Sequence, residues 1–267
     1  MKKKKLAIVG CGKLAKIIVN AFSNGFLPNY QFVGLLSRSP ESAQNLLEKI
    51  NNAGQNDSCT LCKSIDEVIT TRPDIVIETA NPEAFKNMGI PVLEKGISIV
   101  TLSIGALADD DFQEELKSTC RKSGAKVHIA SGAIGGFDVL KTTALMGNSK
   151  ASIKTTKGPD SLKGTSVYEE SLQENEKEVF TGNAKEAISL FPTRVNVAVA
   201  ASLASVGPEE MEVSITSVPE YTGDDHRIEI ENDQVRAVVD VYSKTSEIAG
   251  WSVVYTLQNI ASPIVFQ

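Results

Sequence analysis

The stretch Leu6-Ala7-Ile8-Val9-Gly10-Cys11-Gly12-Lys13-Leu14-Ala15 decides how the rest of the chain is read. Leu6 to Val9 is a short apolar run of the kind buried on both faces of a parallel sheet, and Ile17, Ile18, Ala21 and Phe22 recur behind it at helical spacing. The segment reads as strand, tight turn and helix. Its turn carries Gly10-x-Gly12-x-x-Ala15. In a dinucleotide-binding unit the first glycine permits the turn, the second lets backbone approach a pyrophosphate, and a small third residue lets the helix pack close to the strand. Amides at the helix start, around Lys13 and Leu14, then face the phosphates together with Gly10 and Gly12. Glycines serve many strand-to-helix turns, so it is the strand and helix on either side that favour the dinucleotide reading.

Outward from this turn the same alternation repeats. Gln31 to Leu36 reads as a second strand, Glu41 to Asn51 as a helix, Cys59 to Cys62 as a short strand, and Ser64-Ile65-Asp66-Glu67-Val68 as a helix start. Asp74 to Glu78, Ile97 to Leu102 and Lys126 to Ala130 supply three more strands, with an acidic helix start at Asp109-Asp110-Asp111 that complements a helix dipole. This order specifies a doubly wound parallel sheet of the Rossmann type. After the glycine-rich junction Ser131 to Asp138 the pattern changes. A helix over Val139 to Met146 is followed by β-like segments at 151–156, 177–181, 211–218, 226–231 and 235–242, with helical patterns at 184–191 and 196–206. The expected architecture is therefore α/β: a dinucleotide-binding domain over 1–130 plus 245–267, and an α+β domain over 131–244 for substrate, catalysis and dimerisation. The apolar pattern from Ile248 to Ile260 is expected to form a last helix packing back on the first domain.

Composition narrows the function. A chain of 267 residues, 42% hydrophobic and 22% charged, is an ordinary globular protein with room for two cores. Its net charge of −6 argues against a nucleic-acid partner, and an anionic substrate needs local basic groups to overcome that field. The run Lys2 to Lys5 is followed by an apolar segment broken at Gly10, which reads as a lead-in to the first strand rather than a signal peptide. No segment approaches bilayer length, so no membrane is expected and the cytoplasm is the expected compartment. The four cysteines are too few and scattered for a disulfide scaffold. Cys59-Thr-Leu-Cys62 has redox or metal spacing but no second pair to complete a zinc site, and two thiols at a strand start is the plainer reading.

The ends of the strands carry the chemistry. An NAD site usually places a carboxylate at the end of the second strand, whereas an arginine suits the 2′-phosphate of NADP. Here that end is Ser37-Arg38-Ser39, so the cofactor is expected to be NADP or NAD with NADP favoured. Ala80, Asn81 and Pro82 follow the fourth strand and are candidates to line the nicotinamide side, against a plain Asn-Pro turn. Of two histidines, His128 lies in an apolar strand and reads as core or near-core. His226 lies in Tyr221-Thr222-Gly223-Asp224-Asp225-His226-Arg227-Ile228, a polar loop opening a strand, where catalytic and solvated readings stand level.

These motifs, with Glu78-Thr79-Ala80-Asn81-Pro82, Ser103-Ile104-Gly105-Ala106-Leu107, Ser131-Gly132-Ala133-Ile134-Gly135-Gly136-Phe137-Asp138, Lys157-Gly158-Pro159 and Phe191-Pro192-Thr193-Arg194-Val195-Asn196, resemble the L-aspartate dehydrogenase family nearly end to end. The resemblance implies oxidation of L-aspartate to iminosuccinate with NAD or NADP, the imine feeding NAD synthesis or hydrolysing to oxaloacetate. It implies a catalytic role for His226, further cofactor contacts at Ala133 and Asn196, and a homodimer through the sheet of the second domain. The chain departs from the family in carrying Asp224 where Asn is usual, so hydrogen bonding near the histidine and its pKa are expected to differ. The chemistry agrees: hydride leaves the α-carbon only when the nitrogen can donate electrons, so a base such as His226 must first take a proton, with Asp224 or Asp225 orienting the ring. Donors for the substrate carboxylates are sought among Ser131, the Gly135 and Gly136 amides, Lys141, Arg194 and Arg227. The rival readings are a dehydrogenase of a related amino or hydroxy dicarboxylate, and a dinucleotide-binding sensor without turnover.

Overall fold

The computed structural model describes residues 3–54, 59–191 and 196–266. The chain forms two compact units, Met1–Ala130 with Ala249–Gln267, and Ser131–Ile248.

In the first unit the apolar runs become β1 (Lys4–Val9), β2 (Tyr30–Leu36), β3 (Thr60–Cys62), β4 (Ile75–Glu78), β5 (Ser98–Thr101) and β6 (Val127–Ile129). Their order is β3-β2-β1-β4-β5-β6 and every adjacent pair is parallel, which is the doubly wound Rossmann arrangement. Between them run α1 (Lys13–Ser23), α2 (Pro40–Asn52), α3 (Ile65–Thr70), α4 (Pro82–Glu94) and α5 (Asp110–Ser123). Four of these helices are capped by their own side chains: Ser39, Ser64, Asn81 and Asp109 each accept an amide from the first turn. α1 starts at Gly12 with no side-chain cap, so its first amides remain available. Strand order reverses between β1 and β4, and sheets of this kind bind ligands beyond the strand ends at such a reversal. His128 is half-buried on β6, an edge strand, the near-core of its two readings.

The second unit holds α6 (Phe137–Leu145), β7 (Lys150–Lys157), β8 (Lys177–Asn183), α7 (Ala184–Leu190), α8 (Asn196–Leu203), β9 (Met211–Ser217), β10 (Asp224–Glu231) and β11 (Arg236–Ser243). The sheet order is β11-β10-β7-β9-β8, with β7 and β9 parallel and the other pairs antiparallel. Alternation buries one face: Ala151, Ile153 and Thr155 on β7, Met211, Val213, Ile215 and Ser217 on β9, and His226, Ile228 and Ile230 on β10. The other face carries polar side chains such as Lys154, Arg227 and Asp240.

The last helix, α9 (Glu247–Ala261), returns to the first unit. Val253, Val254 and Leu257 join the core that contains Leu6, Ile18 and Tyr30, each buried aliphatic side chain stabilising the unit by about 2 kcal/mol. The fully buried Tyr30 donates its hydroxyl to the Leu257 carbonyl at 2.6 Å, and Trp251 meets Phe26 edge to face.

Candidate active site

In the first unit the turns that leave β1, β2 and β4 stand at the same end of the parallel sheet. Gly10 has φ +98°, and a Cβ there would lie 2.7 Å from the Ala80 nitrogen, so only glycine lets the first turn rest against the fourth strand's turn. Gly12 is different: its φ is −84° and a Cβ there would meet no protein atom within 4 Å. The space over Gly12 and the uncapped start of α1, at Lys13 and Leu14, fit a pyrophosphate. Ala15 is fully buried, packing α1 onto the sheet. The turn is pinned from both sides, since Gly10 donates its amide to Leu36 at the end of β2 and the Thr79 hydroxyl donates to the Gly10 carbonyl.

At the end of β2, Arg38 is exposed and Ser37 half-buried, with the Ser37 hydroxyl accepting the Ser39 amide at 3.1 Å. Cys11 in the turn is buried, and burial pushes its thiol up to about 11, partly offset by a hydrogen bond with Ser37. Cys59 and Cys62 are both reduced, with burial pushing both thiols up and that of Cys59 to about 12. Past β4, Ala80 is exposed, Pro82 begins α4, and the Asn81 side chain is occupied as the α4 cap, accepting the Ala84 amide at 2.8 Å. Beneath this turn is a group the sequence reading passed over as part of a strand. Glu78 is fully buried; its Oε1 accepts the Ala80 amide at 2.7 Å and the Ser103 hydroxyl at 2.9 Å, and its Oε2 accepts the Thr101 hydroxyl at 2.6 Å. Burial raises its pKa and these donors oppose the rise.

In the second unit His226 is not in a loop, as its polar neighbours led us to expect, but is the third residue of β10 and only 4% exposed. Its register partner Thr155 hydrogen-bonds Nδ1 through Oγ1 at 3.0 Å, the ring's one hydrogen bond among the described residues, which leaves Nε2 for a ligand. Burial drops its pKa from 6.5 to about 4, with Asp224 pulling upward and Lys157 downward, so the imidazole is neutral. The approach to β10 is held by Tyr221, whose ring meets Tyr242 edge to face, and by the Tyr242 hydroxyl donating to the Thr222 carbonyl at 2.9 Å.

The basic candidates separate sharply. Arg227 points to the opposite face from His226, exposed and paired with Asp240 at 3.0 Å, and Lys141 is exposed on α6. Arg194 lies outside the described residues. Ser131, Ala133 and Gly135 are half-buried between β6 and α6, while Gly136 caps α6 at φ +69° with a hypothetical Cβ 2.5 Å from Val239, a packing requirement that explains this glycine without a ligand. Asn196 begins α8, half-buried. On the histidine's face the next row toward the start of β10 holds Lys157, paired with Asp224 at 3.4 Å; the sequence signal for it was present in Lys157-Gly158-Pro159, but its partner is set by strand register.

The chain matches two family models, one described as aspartate dehydrogenase, C-terminal, over residues 138–260, and one as homoserine dehydrogenase, NAD binding domain, over residues 10–130. It is 31% identical to the L-aspartate dehydrogenase of Methanococcus maripaludis, covering 97% of this chain and 98% of that protein, and 31% identical to that of Methanosarcina mazei with the same coverage. The crystal structure of aspartate dehydrogenase from Thermotoga maritima superposes with a TM-score of 0.76 at 26% identity over the whole of both chains. This similarity along the whole chain places it in the L-aspartate dehydrogenase family.

Proposed function

We propose that this protein oxidises L-aspartate to iminosuccinate, which hydrolyses to oxaloacetate, and carries out the reverse reductive amination, using NADP or NAD with NADP preferred. The observation that carries this reading is His226: a buried, neutral imidazole, fixed at Nδ1 by Thr155 and free at Nε2. Such a ring takes a proton from the substrate ammonium, which frees the nitrogen lone pair that must push the hydride off the α-carbon. The nicotinamide, when bound, supplies the hydride acceptor. Gly10, Gly12, Lys13 and Leu14 hold the pyrophosphate, Ala80, Asn81 and Pro82 border the nicotinamide, and Ala133 and Asn196 add contacts. Arg38 with Ser37 stands where a 2′-phosphate sits, with no carboxylate on Ser37, Arg38 or Ser39 to oppose it. Ser131 and the Gly135 amide serve the substrate.

The protein works as a homodimer through the second unit's sheet, whose outer face exposes Val238 at 40% and Tyr242 at 55%, and in the cytoplasm, in keeping with four free thiols. No helix among the described residues is long and apolar enough to cross a membrane.

Initial rates with L-aspartate and each oxidised cofactor, then with oxaloacetate, ammonia and each reduced cofactor, test the reading. Turnover with aspartate, faster with NADP, is expected. Cofactor binding without turnover on aspartate overturns it and moves the activity to another dicarboxylate or to sensing.

A further inference from the structure

Three polar residues form a row across adjacent strands of the second unit. Ser217 closes β9, Lys157 closes β7 and Asp224 opens β10, in direct register with one another. The next row along the same face is Ile215, Thr155 and His226, so this row stands one step from the base. Two of the three carry a buried oxygen without a hydrogen bond among the described residues. Ser217 is 0% exposed and its Oγ has no partner among the described residues, nor has the buried Oδ1 of Asp224. The Lys157 side chain is 15% exposed, and its ammonium reaches Asp224 Oδ1 at 3.4 Å, too far for a good charge-assisted hydrogen bond. A buried hydroxyl and a buried carboxylate oxygen without hydrogen bonds, flanking a loosely paired ammonium, are costly unless something else completes them.

We propose that Lys157, Ser217 and Asp224 are the subsite for the head of the amino-acid substrate. Lys157 Nζ and Ser217 Oγ donate to its α-carboxylate, and Asp224 accepts from its α-ammonium beside His226. The two charges of an α-amino acid sit on neighbouring atoms, and the Lys157 and Asp224 charges are likewise adjacent and opposite, so the ligand completes both. Of the other basic candidates among the described residues, Arg227 faces away and Lys141 is exposed on α6.

The assignment rests on the dehydrogenase reading, and the test separates the two. L-Aspartate and succinate, which lacks the ammonium, are titrated calorimetrically into the enzyme saturated with NADPH, a complex that cannot oxidise aspartate. Lys157→Met is expected to weaken aspartate by about 10- to 100-fold, the loss of a charge-assisted hydrogen bond, with NADPH affinity unchanged as the check on folding. Lys157→Arg restores part of the loss. Asp224→Ala weakens aspartate and leaves succinate untouched. Unchanged aspartate binding by a Lys157→Met protein that binds NADPH normally overturns the subsite alone, as does an equal effect of Asp224→Ala on both ligands. A wild-type enzyme that binds NADPH but neither binds nor turns over aspartate overturns the function and the subsite together.

Discussion

The Thr79 hydroxyl donates to the Gly10 carbonyl at 2.7 Å, and a Cβ on Gly10 would stand the same 2.7 Å from the next amide, that of Ala80. The turns leaving β1 and β4 are thereby one rigid body at the strand-order reversal. Gly10→Ala forces a side chain into φ +98° and into backbone, so it is expected to cost about 2 kcal/mol or more and to lower Tm. Gly12→Ala meets ordinary backbone and open space, so its Tm should be that of the wild type while NADP(H) affinity collapses. Thermal melts and cofactor titration of both variants read this split; equal behaviour of the two refutes it.

Glu78 joins the turn after β4 to the turn after β5 through Ala80, Thr101 and Ser103. Glu78→Gln keeps the volume but opposes an NH2 to groups that all donate, which should destabilise the protein by about 1–3 kcal/mol and loosen cofactor binding. Chemical denaturation and cofactor titration measure both effects, and wild-type values in each would remove the clamp from the account.

Arg38→Ala should weaken NADP much more than NAD if the exposed guanidinium at the end of β2 meets the 2′-phosphate as proposed. The ratio of the two dissociation constants is the readout. A ratio unchanged from wild type removes Arg38 from that role.

His226 carries a pH signature. Below 6.5 the unfolded chain takes up a proton that the folded ring refuses until about 4, so stability falls as pH drops through that window, by up to about 3 kcal/mol. His226→Gln should flatten this part of the pH dependence of Tm and abolish most turnover while cofactor affinity holds. Full activity in that variant would remove His226 as the base.

The first unit was legible because its signals are local. Apolar runs, glycines at a turn and caps such as Ser39, Ser64 and Asp109 each lie within a few residues of what they determine. In the second unit the sequence offered His226, Asp224 and Lys157 separately, without the register that brings them together. Polar neighbours made Tyr221 to Arg227 look like a loop, but hydrogen bonds to β7 and β11 carry the strand through Asp224 and Asp225. The partner that fixes His226 lies 71 residues away, and Lys157 meets Asp224 by the same register, which no local pattern encodes. Glu78 was hidden for a related reason: a carboxylate at the end of an apolar run reads as a strand boundary until the donors from β5 are in place.

The return of α9 to the first core, sealed by Tyr30 and Leu257, also orders assembly in time. The first unit is made of two pieces separated by the whole of the second, whereas Ser131–Ile248 is continuous. On the ribosome the inserted unit is complete in sequence while the opening β1 to β6 sheet still lacks the helix that covers Leu6, Ile18 and Tyr30. The core of the first unit is therefore closed last, and truncation within α9 is expected to destabilise that unit more than the inserted one.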